Sequence, residues 1–208
     1  GLGCMRIDSL SSDRVHAIIE TALENGINFF DHADIYDGGK SEEGFGKALT
    51  PSLRGKMYIQ TKCGIRPGIS FDFSKKHIIE SVDGSLKRLG TDHVDSLLLH
   101  RPDALMEPEE VAEAFDELTK AGKVNTFGVS NQNPMQMELL NSYCDNRIKI
   151  DQIQMSVAHC PTIDAGINVN IHSDAGCDRD GGILEYSRLK RITLQAWSPF
   201  QYGMFEGV

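Results

Sequence analysis

Short, unbroken apolar runs alternate along this chain with stretches in which apolar residues recur every three or four positions. Val15, Ile18, Ile19, Ala22 and Leu23 make one such stripe, the pattern of an amphipathic helix with one face on a core. Ser11 or Ser12 supplies its N-cap and Gly26 its end. INFFD follows as a buried strand, then a weaker helix, SEEGFGKAL, starting at Ser41 with acids in its first turn. MYIQTK reads as the next strand. A long helix from Ser74 places Ile79, Val82, Leu86 and Leu89 on one face and closes at Gly90. DSLLLH, NTFGVSN, IDQIQMSV and ITLQAWSPF read as further strands. PEEVAEAFDELTKAG, NPMQMELLNSY and ILEYSRLKR are the helices between them.

Runs such as SLLL and INFF are apolar on consecutive residues, which suits strands covered on both faces in a parallel sheet. Six such strands, with GLGCM as the remnant of an earlier one, make seven β units joined by helices. The competing architecture is an open doubly wound sheet. The location of the polar residues favours a single α/β domain over residues 1–208, a TIM (β/α)8 barrel with its eighth strand missing. A whole barrel takes about 250 residues. The chain opens on GLGCMR without an initiator Met and closes on the Gly-rich FQYGMFEGV; both ends read as cuts through something longer. One segment breaks the rhythm: CPTIDAGINVNIHSDAGCDRDGG, after the sixth strand, reads as a long solvated lid.

Composition narrows the function. Forty per cent hydrophobic residues suffice for a core, and a net charge of −9 excludes a nucleic-acid binder, which needs a basic face. Five scattered cysteines without CxxC spacing read as reduced thiols of a cytoplasmic protein, Cys63 among them as a buried structural thiol. Nothing resembles a signal peptide or a membrane span. No metal site is expected. His32 and Asp34 beside Asp31, and His172, Asp174, Cys177, Asp178 and Asp180 in the lid, lack a convergent ligand set.

The strand ends carry the chemistry. INFF ends in Asp31, MYIQT in Lys62, DSLLL in His100 and NTFGV in Ser130-Asn131; Gln154 interrupts IDQIQMS, and ITLQA ends in Trp197-Ser198. In a barrel all of these converge on one mouth. Lys62 and Asp31 would form an ion pair. The ammonium would lower the pKa of Tyr36 from its ordinary value of about 10 and so make it a usable general acid. A neutral His100 would hydrogen-bond a substrate oxygen. The set suits carbonyl reduction and lacks a nucleophile for acyl transfer.

FFDHADIYDGGKSEEGFGKAL resembles the aldo-keto reductase signature Asp-x-Ala-x-x-Tyr followed by Ser-Glu and Gly. SLKRLGTDHVDSLLLHRPD and GKVNTFGVSN resemble the family's second and third signatures. DHADIY, KCGI and LLHRPD together resemble its YdhF-like oxidoreductase branch. The resemblance implies a catalytic tetrad of Asp31, Tyr36, Lys62 and His100, and an NADPH-dependent reduction of aldehydes or ketones with Tyr36 as the acid. It also implies that Ser130, Asn131 and Gln154 hold the nicotinamide carboxamide and that Trp197 stacks on the ring. Ser198 and Phe200 would begin the pyrophosphate loop, and Met5, with Gly3 and Cys4, would lie near the nicotinamide. His32 stands in place of the family's commoner Thr, and Asn125 where a basic residue is frequent. The alternative implied by the same resemblance is a cofactor-binding sensor like the potassium-channel β subunits, or an inert fragment.

Overall fold

The structure, a computed structural model, describes residues 1–201. The chain runs β1 (Leu2–Gly3), α1 (Ser12–Glu24), β2 (Phe29–Asp31), a 3₁₀ turn (Tyr36–Gly39), α2 (Lys40–Ala48), α3 (Pro51–Arg54) and β3 (Tyr58–Cys63). A hairpin of β4 (Ile65–Arg66) and β5 (Ser70–Phe71) leads to α4 (Lys75–Leu89), β6 (Val94–Leu99), α5 (Pro108–Lys120) and β7 (Val124–Ser130). The remainder is α6 (Pro134–Tyr143), β8 (Ile148–Gln154), α7 (Pro161–Ile167), a 3₁₀ turn (Asp174–Gly176), α8 (Ile183–Lys190) and β9 (Thr193–Trp197).

Among the described residues seven strands form one sheet, in the order β1-β2-β3-β6-β7-β8-β9, every pair parallel. The sheet is curled. Gln60 on β3 donates to Gln195 on β9 at 2.8 Å, although β6, β7 and β8 lie between them in the order. In a flat sheet four strand spacings would hold these residues about 19 Å apart. Gln152 on β8 likewise reaches Asp31 on β2 at 3.2 Å. These are seven staves of a (β/α)8 barrel, with β1 and β9 at the open seam.

The pleat divides the interior in two. The register aligns Asp31, Gln60, Ser96 and Thr126 across neighbouring strands, and Ser130, Gln152 and Gln195 likewise; the hydrogen bonds joining Asp31, Gln60, Ser96, Gln152 and Gln195 place them on the inner face. Their neighbours Phe30, Ile59, Leu97, Leu99, Phe127 and Val129 face outward. There they pack with Val15, Ile19, Ile78, Val82, Val111, Phe115, Met137 and Leu140 from the helices in one apolar core. Phe115 and Phe127 stack at 3.9 Å between ring centroids.

The helix boundaries follow their caps. Ser11 accepts from the Arg14 amide, Ser74 from that of His77, and Asn133 and Gln136 close a reciprocal capping box. Two sequence expectations change. Helix α2 begins at Lys40 behind Gly39, because the Ser41 hydroxyl donates to the Met5 carbonyl at 3.1 Å rather than capping. The segment after β8 is not a bare loop: Pro161 starts the short helix α7, and Thr162 donates to Asp180 at 2.5 Å, closing the segment on itself. The closing residues from 202 onward lie outside the described residues. No helix described is long and apolar enough to cross a membrane.

Helix α2 presses against the end of α4. A Cβ on Gly46 would come within 2.2 Å of the Arg88 carbonyl oxygen, a backbone atom that cannot step aside. Gly46→Ala is expected to cost about 2 kcal/mol or more, as overpacking of a close backbone contact does. Urea unfolding checks this against Gly55→Ala, where a Cβ meets nothing within 4 Å.

Candidate active site

Asp31 ends β2, Lys62 lies near the end of β3 and His100 directly follows β6, so parallel pairing alone brings all three to the same end of the barrel. Tyr36 arrives by a different route. The loop after β2 is tied to β3 by the Asp34 amide, which donates to the Lys62 carbonyl at 3.0 Å. It then turns through Asp37, Gly38 and Gly39, all at positive φ. Two of these three positions are glycine, which adopts that conformation without a Cβ clash. The turn brings the Tyr36 phenol back over Lys62.

The Lys62 side chain is wholly buried, and each of its protons has an acceptor. Nζ donates to Asp31 Oδ2 at 2.7 Å, to the His32 carbonyl at 2.7 Å and to the Tyr36 hydroxyl at 3.0 Å. Burial alone would push the ammonium down, but Asp31 and Tyr36 outweigh it and its pKa lies above the ordinary value. Lys62 is therefore a fixed cation. His100 meets Tyr36 edge to face, with ring centroids 6.0 Å apart. Burial, helped by the Lys62 charge, drives its pKa to about 3, so the imidazole is neutral.

One electrostatic expectation is corrected. Burial raises the Tyr36 pKa above 10; the charge and hydrogen bond of Lys62 pull it back, and Asp31 opposes that pull. The net displacement is upward because burial of the phenol, aided by the Asp31 charge, outweighs the pull of Lys62. Tyr36 is thus held as a phenol, its proton in place, with Lys62 beside the oxygen where phenolate charge would appear.

A second layer escaped the sequence reading. Gln60 donates to Asp31 Oδ1 at 2.7 Å and Gln152 to the same oxygen at 3.2 Å. Both amides also donate to Gln195 Oε1, and Ser96 donates to Gln60 Oε1 at 2.9 Å. This belt holds one carboxylate oxygen while Lys62 holds the other. The only sequence signal was a polar residue at inward positions of MYIQTK, IDQIQ and ITLQA, which resembles any half-exposed strand.

The remaining candidates gather on the β7–β9 side. Ser130 donates to the Gln152 carbonyl at 2.8 Å, Asn131 donates to Ser130 Oγ at 2.8 Å, and the Trp197 indole donates to Asn131 Oδ1 at 2.9 Å. The Arg101 guanidinium lies over the Trp197 ring, 5.7 Å from its centroid. Gln154 and Asn131 border a cavity of about 300 Å³ with Thr162, Arg179 and Asp180, whose lining includes neither Tyr36 nor Lys62. Met5 and Phe200 are 46% and 69% exposed, and Ser198 takes a positive φ of 50°. Cys63 and Cys4 are buried, and burial pushes both thiols well up.

Comparison with known proteins decides the family. The model of the aldo/keto reductase family matches residues 1–208. The chain belongs to that family. It is 42% identical over 164 residues to oxidoreductase YdhF of Escherichia coli, an alignment covering 74% of this chain and 55% of YdhF. It is 39% identical over 209 residues to 6-dehydroglucose reductase of Agrobacterium fabrum, covering 95% of this chain and 65% of that protein. The thermostable aldo-keto reductase Tm1743, solved with the inhibitor epalrestat, superposes with a TM-score of 0.79 at 28% identity, over 98% of this chain and 69% of its own. The chain thus spans less than two thirds of the length of these two curated relatives.

Two substitutions probe how this aldo-keto reductase barrel is held. Gln60→Leu strips Asp31 Oδ1 of its shorter amide contact and leaves the Ser96 hydroxyl without its acceptor. It is expected to cost about 1–3 kcal/mol in urea unfolding. Asp151, on the outer face of β8, is buried with both oxygens unpartnered by the geometry; the nearby Gln132 and Asn131 amides only partly offset burial, which raises its pKa to about 8. A raised carboxylate stabilises the fold at pH values below its unfolded pKa of about 4 and loses that contribution as pH climbs through the folded value. Asp34, at about 7, acts in the same sense, whereas His32 and His100, both at about 3, weaken the fold only below about pH 6.5. Asp151→Asn should therefore shrink the fall in unfolding midpoint between about pH 6.5 and about pH 8.5.

Proposed function

We propose that this chain reduces the carbonyl of small aldehydes or ketones to alcohols, with NADPH as the hydride donor and Tyr36 as the proton donor. The observation that carries the reading is the 3.0 Å contact between a fully buried, fully partnered Lys62 ammonium and the Tyr36 hydroxyl. A phenol is a weak acid, and its proton leaves readily only if the charge left behind is met. Lys62 sits where that charge forms.

The residues on the β7–β9 side fit the nicotinamide half of the donor. Gln154 offers an amide at the edge of a cavity, and Trp197, anchored by Asn131, offers an aromatic ring. A reduced nicotinamide held there would supply the hydride for the carbonyl carbon. Tyr36 gives its proton to the carbonyl oxygen, and Lys62 stabilises the resulting phenolate. Asp31 keeps Lys62 in place and is itself held by Gln60 and Gln152. Neutral His100 orients the oxygen without adding a charge that would compete with Lys62. NADPH, rather than NADH, is what the resemblance implies, and a cytoplasmic protein with a small-molecule substrate is the accompanying reading. The reductase name of the Agrobacterium relative agrees with the class of reaction.

Tyr36→Phe tests the assignment. Loss of nicotinamide absorbance with a panel of aldehydes should slow by about 10²–10⁴-fold, while quenching of Trp197 fluorescence by NADPH is retained. A variant as fast as the unaltered chain would remove Tyr36 from the role. Nucleotide binding with no turnover by the unaltered chain would instead favour a sensor.

A further inference from the structure

Arg101 stands next to His100 at the barrel mouth, and its guanidinium lies over the Trp197 ring at 5.7 Å. Arg54, Arg66, Arg88, Arg147 and Arg179 each sit against a carboxylate. Among the described residues Arg101, like Arg6, Arg14, Arg188 and Arg191, has no such partner; of these five it is the one whose guanidinium lies over an aromatic ring. The acid nearest in sequence, Asp103, is engaged elsewhere: its Oδ2 accepts from the Phe73 amide and its Oδ1 from the Leu105 amide. The other cation of the site, Lys62, is buried and has no donor left for a ligand. Neutral His100 does not neutralise or repel an anion.

We propose that Arg101 selects carbonyl substrates bearing a second group that is an oxyanion, a carboxylate or a phosphate. The proposal rests on the reading of this mouth as a site of carbonyl reduction and names the substrate class it takes. A guanidinium presents a planar fork of donors that matches such groups two bonds at a time, and packing against an aromatic face holds the fork in place beforehand. The preference is built into binding: Tyr36 and His100 address the carbonyl oxygen, while Arg101, one residue beyond His100, addresses the far end of the molecule.

Trp197 is the only tryptophan, so its fluorescence reports on the ring beneath Arg101 directly. Benzoate and phenyl phosphate, as non-reacting probes, should quench it, benzamide should not, and Arg101→Gln should abolish the quenching; the stronger of the two quenchers identifies the oxyanion. In turnover, para-carboxybenzaldehyde should exceed its methyl ester in kcat/KM by about ten- to a hundredfold, and Arg101→Gln should erase that ratio while sparing the ester. Equal kcat/KM for acid and ester, or benzoate quenching that survives Arg101→Gln, overturns the proposal. So does a variant that loses NADPH quenching and keeps benzoate quenching, since Arg101 would then serve the nucleotide. If neither aldehyde is turned over but benzoate quenching depends on Arg101, the oxyanion site stands and carbonyl reduction falls.

Discussion

A buried ammonium has to be given acceptors for all three of its protons, and much of the barrel's interior is arranged around that need at Lys62. Asp31, the His32 carbonyl and the Tyr36 hydroxyl come from one strand end and the loop that follows it. Taking two charges out of water is costly, and their attraction offsets the cost only when the geometry is good and the remaining lone pairs are filled. The glutamines meet that second condition. Gln60 and Gln152 fill the Asp31 oxygen that Lys62 leaves free, and Gln195 and Ser96 fix the orientation of Gln60.

The pleat makes this possible without weakening the fold. Outward residues of the same strands, Phe30, Ile59, Leu97, Leu99 and Val129, join the helices in a dry core that supplies the hydrophobic stabilisation. Inward residues are thereby released from packing duty and carry a polar network. Alternation along a strand thus separates the residues that hold the fold from those that face the mouth. The same division leaves costs behind the sheet: Asp151 and the ring of His32 are buried with polar atoms that find no partner among the described residues.

The barrel staves and the meeting of Asp31, Lys62 and His100 were legible because each rests on a local signal. Consecutive apolar runs mark doubly covered strands, and parallel strands deliver their last residues to one end whatever the curvature. Helix α7 was not legible, since its stretch, PTIDAGI, has neither a long apolar stripe nor a Gly-free interior. Glu42 read only as one of the acids in the first turn of its helix. It is buried, accepting from Thr61 at 2.6 Å and pairing with Arg88 at 2.8 Å, and Arg88 lies on a helix no pattern links to it. The upward shift of Tyr36 was missed for a related reason. Spacing shows that a lysine comes near, not how deeply the phenol is buried or how far Asp31 compensates the lysine's charge.

By itself the sequence determined the seven strands of the main sheet and the longer helices between them, the direction in which those strands run, and which reactive side chains share the mouth, because these depend on periodicity and on strand ends. Tertiary structure decided how the sheet curls, and with it which side chains meet across the interior. The contact of Gln60 with Gln195, 135 positions apart, and the seat of Arg101 over Trp197 exist only after that closure. No local pattern encodes them, since each partner obeys its own strand or loop and their meeting is set by the curvature of the whole sheet.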